Sequence, residues 1–279
     1  MTLRSRLAAS YARFAKRPLR RPPYADELLW LPAWLVAVPL ARLRVPPEAV
    51  VVAGFACGLG AVAIIAGGGL PEHGPLCAAL ILANAVLDSV DGGVARMTGQ
   101  IRLIGGLLDL VFDFFFTLLI FVAIVLAVGP GDAGGFAIPL AIAAFLANVF
   151  AATVISFVMF RDEGGGQGLP AAEQARRFAA APAADASITA RNRPLFRLLV
   201  GGFNLGWGAV FRLILRAGLF RERLGGGSPV RHLLALGAVG SQLAVLAFFI
   251  AIGWPLTTFL VYECALGGMA LGLLLAFER

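Results

Sequence analysis

Charge is what this chain has least of. Only 14% of its 279 residues are Asp, Glu, Lys or Arg, against about 25% in an ordinary soluble domain. Apolar residues fill the deficit at 59% of the chain, with mean hydropathy +0.87. One core of this size cannot bury that much apolar surface, so lipid is the expected solvent for much of the chain. Cysteine is scarce as well. Cys57, Cys77 and Cys264 lie far apart inside apolar stretches, and an odd, dispersed set supports neither a disulfide framework nor a zinc cluster. A secretory leader is not expected, because a long Arg-rich arm precedes the first apolar run and no small-residue cleavage site follows it. No internal repeat is found.

Basic residues are missing from one set of connections. Positions 67–74, 129–135 and 253–255 hold no Lys or Arg. All 23 lie elsewhere: nine between Arg4 and Arg44, then Arg96 and Arg102, eleven between Arg161 and Arg231, and Arg279. A net charge of +7 would suit nucleic acid or an anionic surface. This asymmetry instead reads as membrane orientation, with no nucleic-acid partner expected. Lys and Arg are biased to the cytoplasmic side, so both termini are expected there, with an even number of spans between them.

Six stretches are apolar over the ~20 residues that a helix needs to cross a bilayer. They are 49–66, 75–95, 104–128, 136–160, 232–252 and 256–277. The segment 28–41 is too short and carries Pro32 and Pro39. With Trp30 and Trp34 it reads as an interfacial helix. The segment 195–220 holds Arg197, Asn204, Arg212, Arg216 and four glycines between Gly201 and Gly208. It is expected to lie amphipathically at the interface. The alternative, a seventh span, would reverse the last two helices. Residues 162–185, rich in Gly, Ala and Pro, read as a cytoplasmic loop. The expected fold is therefore an all-α polytopic membrane protein with six transmembrane helices plus interfacial helices. A basic arm over 1–48 precedes a six-helix unit over 49–279, which carries a cytoplasmic insertion at 161–231.

Against this apolar background, four aspartates stand out at Asp88, Asp91, Asp109 and Asp113, on the second and third spans. A charge near the bilayer centre costs at least ~2.5–3.5 kcal/mol on insertion scales. At 100° per residue, Asp88 and Asp91 share a helix face with Gly92 and Ala95. Gly105, Asp109 and Asp113 are spaced four apart and make a second stripe. A short connection near 97–103 makes the two helices antiparallel neighbours, so the stripes can face each other. Facing carboxylates repel unless protonated, paired or bound to cations, and Arg96 is one positive charge against four negatives. Mg²⁺ or Mn²⁺, two ions shared among the four acids, would resolve the conflict. The small Gly92, Ala95 and Gly105 leave clearance for a substrate beside them. A metal pair with such clearance suits phosphoryl chemistry, and Arg96 would clamp a diphosphate through its forked donors. Buried acids paired across helices and the cation path of a transporter are the competing readings.

Written out, the segment is Asp88-Ser-Val-Asp91-Gly92-Gly-Val-Ala95-Arg96, eight residues, Gly105, three residues, Asp109, three residues, Asp113. It resembles the signature of the CDP-alcohol phosphatidyltransferase family, D-x2-D-G-x2-A-R-x8-G-x3-D-x3-D, at all eight fixed positions. The resemblance implies a homodimeric membrane enzyme of the bacterial cell-membrane type, its active site open to the cytoplasm. It would act in phospholipid biosynthesis on a CDP-linked donor, CDP-diacylglycerol above all, and a hydroxyl acceptor, releasing CMP. The variant is transfer of a CDP-linked headgroup to a lipid alcohol. By similarity Asp88, Asp91 and Asp109 would bind the metals. Asp113 would touch a metal and take the acceptor's proton, a role open to a carboxylate beside a hydroxyl. Gly92, Ala95 and Gly105 would line the CDP site, with Arg96 near the diphosphate. Ahead of the first span the chain reads Val45-Pro46-Pro47-Glu48-Ala49-Val50. It lacks the Asn and Thr of the Pro-Asn-x-x-Thr segment common there, so the resemblance reaches the chemistry and not a subfamily.

Other polar residues have plainer readings beside functional ones. Asn84, one turn before Asp88, either orients it or makes an interhelical hydrogen bond. Glu263 either faces the acceptor cavity or is neutral and hydrogen-bonded. Asn148, Thr153, Ser156, Ser241 and Gln242 read as packing residues, and Arg161, Arg231 and His232 as residues at cytoplasmic helix ends.

Overall fold

The computed structural model describes residues 3–15, 26–132, 136–162, 188–216 and 236–277. Every regular element among them is a helix, as expected for the all-α class. In chain order they are α1 (Leu3–Phe14), a 3-10 turn (Asp26–Leu29) running into α2 (Trp30–Arg42), α3 (Pro47–Ala66), α4 (Leu70–Thr98) and α5 (Leu103–Asp132). Then follow α6 (Ala137–Asp162), α7 (Arg193–Leu205), α8 (Trp207–Arg216), α9 (Val239–Ala251) and α10 (Leu256–Phe277).

Among the described residues, α3, α4, α5 and α6 are long and apolar enough to cross a membrane. The apolar α9, 13 residues long, and α10, 22 residues long, hold the places expected for the fifth and sixth spans. Residues 232–235, the expected start of the fifth, lie outside the described residues, as do 163–187 and 217–231 of the insertion. Residues 193–216 form two helices broken at Gly206, of 13 and 10 residues. Neither is long enough to cross a bilayer, which counts against a seventh span among the described residues. Phe196, Leu199, Phe203 and Trp207 are buried with Leu107 and Val111 of α5, while Leu198, Leu205 and Leu213 are exposed.

Proline and glycine set the ends of the helices that matter most. Pro47 opens α3 at a position where its missing N–H costs nothing. The second span begins earlier than expected, at Leu70, with its only non-helical residue at His73, two before Pro75. Gly99 closes α4 in the left-handed conformation, φ +72°, which a side chain would resist. Only residues 99–102 then connect α4 to α5.

The bundle is drawn tight by small residues on α3, which packs against both α4 and α5. A Cβ on Gly58 would stand 2.7 Å from the ring of Phe116, so α5 sits where only a hydrogen fits. Ile65, Ile81, Ile120, Ile124, Leu246 and Phe259 seal the centre between α3, α4, α5, α9 and α10. A separate cluster, Phe14, Trp30, Ala33, Ala37, Val90 and Val94, fastens α1 and α2 onto α4.

Candidate active site

The tight α4–α5 turn lays two acidic stripes side by side. Asp88, Asp109 and Asp113, each half-buried, present carboxylate oxygens that all lie within 4.8 Å of one another. They line a cavity of about 260 Å³, its mouth included, with Asn84, Val51, Gly54, Phe55 and Phe112. The third wall is α3. Phe55 stacks on Phe112 with ring centroids 4.3 Å apart, and Asn84 Nδ2 donates to the Gly54 carbonyl at 2.9 Å. Asn84 thus makes the interhelical bond while its side chain still borders the cavity.

Asp91 stands apart from this trio. It is buried, at 7% exposure, and accepts from the Gly92 amide of its own helix. Three residues advance a helix by 300°, so Asp91 is turned about 60° from Asp88. That rotation keeps it on the same side of α4 but takes it out of the cluster. The sequence reading brought all four acids to one pocket; the structure gathers three.

The remaining motif residues form a strip next to the cavity, toward the α4–α5 turn, and none of them is among the cavity's lining residues. Arg96 Nε donates to the backbone carbonyl of Phe14 at 2.7 Å. A Cβ on Gly92 would meet Arg96 Nη1 at 3.1 Å, so Gly92 gives the guanidinium its room. Ala95 is half-buried. Gly105 is also half-buried, and a Cβ on it would meet the Glu48 carboxylate at 3.7 Å. Glu48 in turn pairs with Arg102 at 3.4 Å.

Asp88 lies ten residues before the end of α4 and Asp113 ten after the start of α5, nearly three turns or about 15 Å.

The sequence did not reveal the part played by α1. Phe14 is 1% exposed, and its ring covers Gly93 so closely that a Cβ there would collide. Trp34 Nε1 donates to Ser10 Oγ at 3.3 Å, and the Tyr11 ring meets Trp34 edge-on at 5.8 Å. The arm thereby brings a carbonyl to the motif arginine from 82 positions away. The available signal was the unexplained glycine at 93.

Elsewhere, Glu263 is fully buried and accepts from Asn148 Nδ2 at 3.2 Å, the hydrogen-bonded alternative. Thr153 Oγ1 bonds back to the Val149 carbonyl at 2.7 Å, a packing role. The side chains of Ser156, Arg161, Arg231 and His232 lie outside the described residues.

Three carboxylates this close repel each other unless something offsets their charge. A hard divalent cation with oxygen preference fits such a donor set. A family model described as CDP-alcohol phosphatidyltransferase matches residues 44–190, just over half the chain and the whole of this site. No curated protein matches the chain.

Proposed function

Because the chain belongs to the CDP-alcohol phosphatidyltransferase family, we propose that it transfers a phosphatidyl group from CDP-diacylglycerol to a hydroxyl acceptor. The observation that carries this reading is the gathering of Asp88, Asp109 and Asp113 oxygens within 4.8 Å. The acceptor oxygen attacks the phosphorus that bears the diacylglycerol. The bond from that phosphorus to the bridging oxygen breaks, and CMP leaves with that oxygen. The acceptor's proton passes to the Asp113 carboxylate, the general base.

Asp88, Asp109 and Asp113 would hold Mg²⁺ or Mn²⁺, with Asp91 supporting a second ion from the next turn. When bound, such cations neutralise phosphate oxygens and orient the displacement. Arg96, with its Nε engaged by Phe14, keeps its terminal nitrogens for the diphosphate. Gly92, Ala95 and Gly105 give the CDP moiety access to the backbone. The charge asymmetry supports placing both termini and the site on the cytoplasmic side of a bacterial-type cell membrane. The working unit is a homodimer.

The test is CMP release by the purified protein with Mg²⁺, supplied in turn with CDP-diacylglycerol and with CDP-linked headgroups. Release from CDP-diacylglycerol with a water-soluble alcohol is expected. Release only from a CDP-linked headgroup with a lipid alcohol would reverse the donor assignment. No release from any donor across a broad acceptor panel would reject the transferase reading.

A further inference from the structure

A second cavity, mostly apolar but with three polar side chains in its wall, lies between α5, α6, α9 and α10. Thr117, Asn148 and Gln242 line it, with Phe121, Leu246 and Phe259 among the apolar walls. These three polar residues are 4%, 4% and 1% exposed, and Glu263, bonded to Asn148, is 0% exposed. Thr117 Oγ1, Asn148 Oδ1, Glu263 Oε1 and both amide atoms of Gln242 have no hydrogen-bond partner. Native proteins rarely leave buried polar atoms unanswered. Here several such atoms belong to one neighbourhood, and the space among them points to a ligand that answers them.

The atoms specify that ligand's chemistry. Gln242 Nε2 can only donate, the oxygens of Gln242 and Asn148 accept, and the Thr117 hydroxyl does either. A hydroxyl group, donor and acceptor at once, matches this mixture. A phosphate brings mainly acceptors, and no Lys or Arg is among the lining residues to receive it. The cavity is the size of the first, about 260 Å³ with its mouth included, so it is the polar atoms and the lack of a basic group, not the space, that favour a hydroxyl.

The position on α5 ties this cavity to the chemistry above it. Thr117 follows Asp113 by four residues, as Asp113 follows Asp109, and so continues the same stripe about one turn, or ~6 Å, deeper. We propose that this cavity is the distal end of the acceptor site. It takes a second hydroxyl of a small, non-phosphorylated polyhydric alcohol whose reacting hydroxyl sits at Asp113. The proposal rests on the transferase reading of Asp113, and it narrows the acceptor to uncharged polyols.

The experiment measures CMP release by the full-length protein in lipid nanodiscs with Mg²⁺ and CDP-diacylglycerol. Glycerol and inositol are compared with 1-propanol and cyclohexanol, which lack the second hydroxyl, and with glycerol 3-phosphate. A polyol should show at least a tenfold lower KM than its stripped counterpart and should also outperform glycerol 3-phosphate. Thr117→Val, which is isosteric, and Gln242→Leu should each erase most of that difference. The KM for CDP-diacylglycerol should stay within about twofold, and titration with CDP confirms that each variant is folded. If Gln242→Leu fails to fold, Thr117→Val alone decides. A preference for glycerol 3-phosphate, or discrimination unchanged in the folded variants, overturns the acceptor assignment while leaving the transferase intact. No CMP release by the unaltered protein with any acceptor removes both readings together.

Discussion

Two polar regions interrupt this apolar bundle, and α5 borders both. In the first, acids face acids. Asp88, Asp109 and Asp113 converge on a cavity walled by α3, an arrangement that calls for positive charge from outside the protein. In the second, one acid faces neutral groups. Glu263 is held by Asn148, which lines a mostly apolar cavity together with Gln242 and Thr117. The same side-chain chemistry, carboxylate within lipid, is therefore stabilised in two ways. Convergent acids suit a cation and a phosphate. A lone acid among amides and a hydroxyl suits a neutral polar partner.

The strongest way to break this contrast is at Asp113. Asp113→Asn should lower CMP release by about 10²–10⁴-fold, the usual worth of a positioned general base. CDP donor binding, followed by calorimetric titration with Mg²⁺ present, should survive. Retained turnover would take the base role away from Asp113. A second test separates Asp88 from Asp91. Asp91→Asn should raise the Mg²⁺ needed for half-maximal rate roughly 10–100-fold, as expected of a supporting group, and Asp88→Asn should raise it further. Equal effects would place Asp91 within the trio.

The deeper region should answer in stability. Asn148→Leu removes the donor to the buried Glu263 and should cost about 1–3 kcal/mol. A lowered thermal midpoint in detergent, with the CDP donor KM unchanged, is the expected reading. A changed donor KM would mean that the deeper region shapes the donor site as well as the acceptor's. The smallest effect is expected at Glu48→Gln. That carboxylate pairs with the half-exposed Arg102, and such a pair is worth at most about 1 kcal/mol. A larger loss of stability or a changed metal requirement would mean that Glu48 belongs to the acidic site beside it.

The fold was largely legible because a bilayer imposes length and hydropathy on each helix. Four spans met that test directly, and α10 begins and ends where the apolar run does. The end of α4 was less legible. Apolarity stops at Ala95, but the helix continues to Thr98 because Gly99 supplies the left-handed cap. The site was legible in its residues and less so in its grouping. A rotation of 60° separates neighbours that a helical wheel places on one face, and it left Asp91 outside the trio. The α3 wall and the docking of Phe14 on Gly93 were not legible, since both depend on contacts between residues distant in the chain.

Composition and spacing by themselves determined that this chain is a helical membrane protein with acids on two adjacent helices. Lipid tolerates no unsatisfied backbone, and the period of a helix is fixed. Tertiary structure alone decided which three acids meet, how α1 reaches Arg96, and that Thr117, Asn148, Gln242 and Glu263 share one neighbourhood. Those outcomes depend on how closely α3, α5, α6, α9 and α10 approach and turn toward one another. Side-chain packing sets those distances, and no local sequence pattern records them.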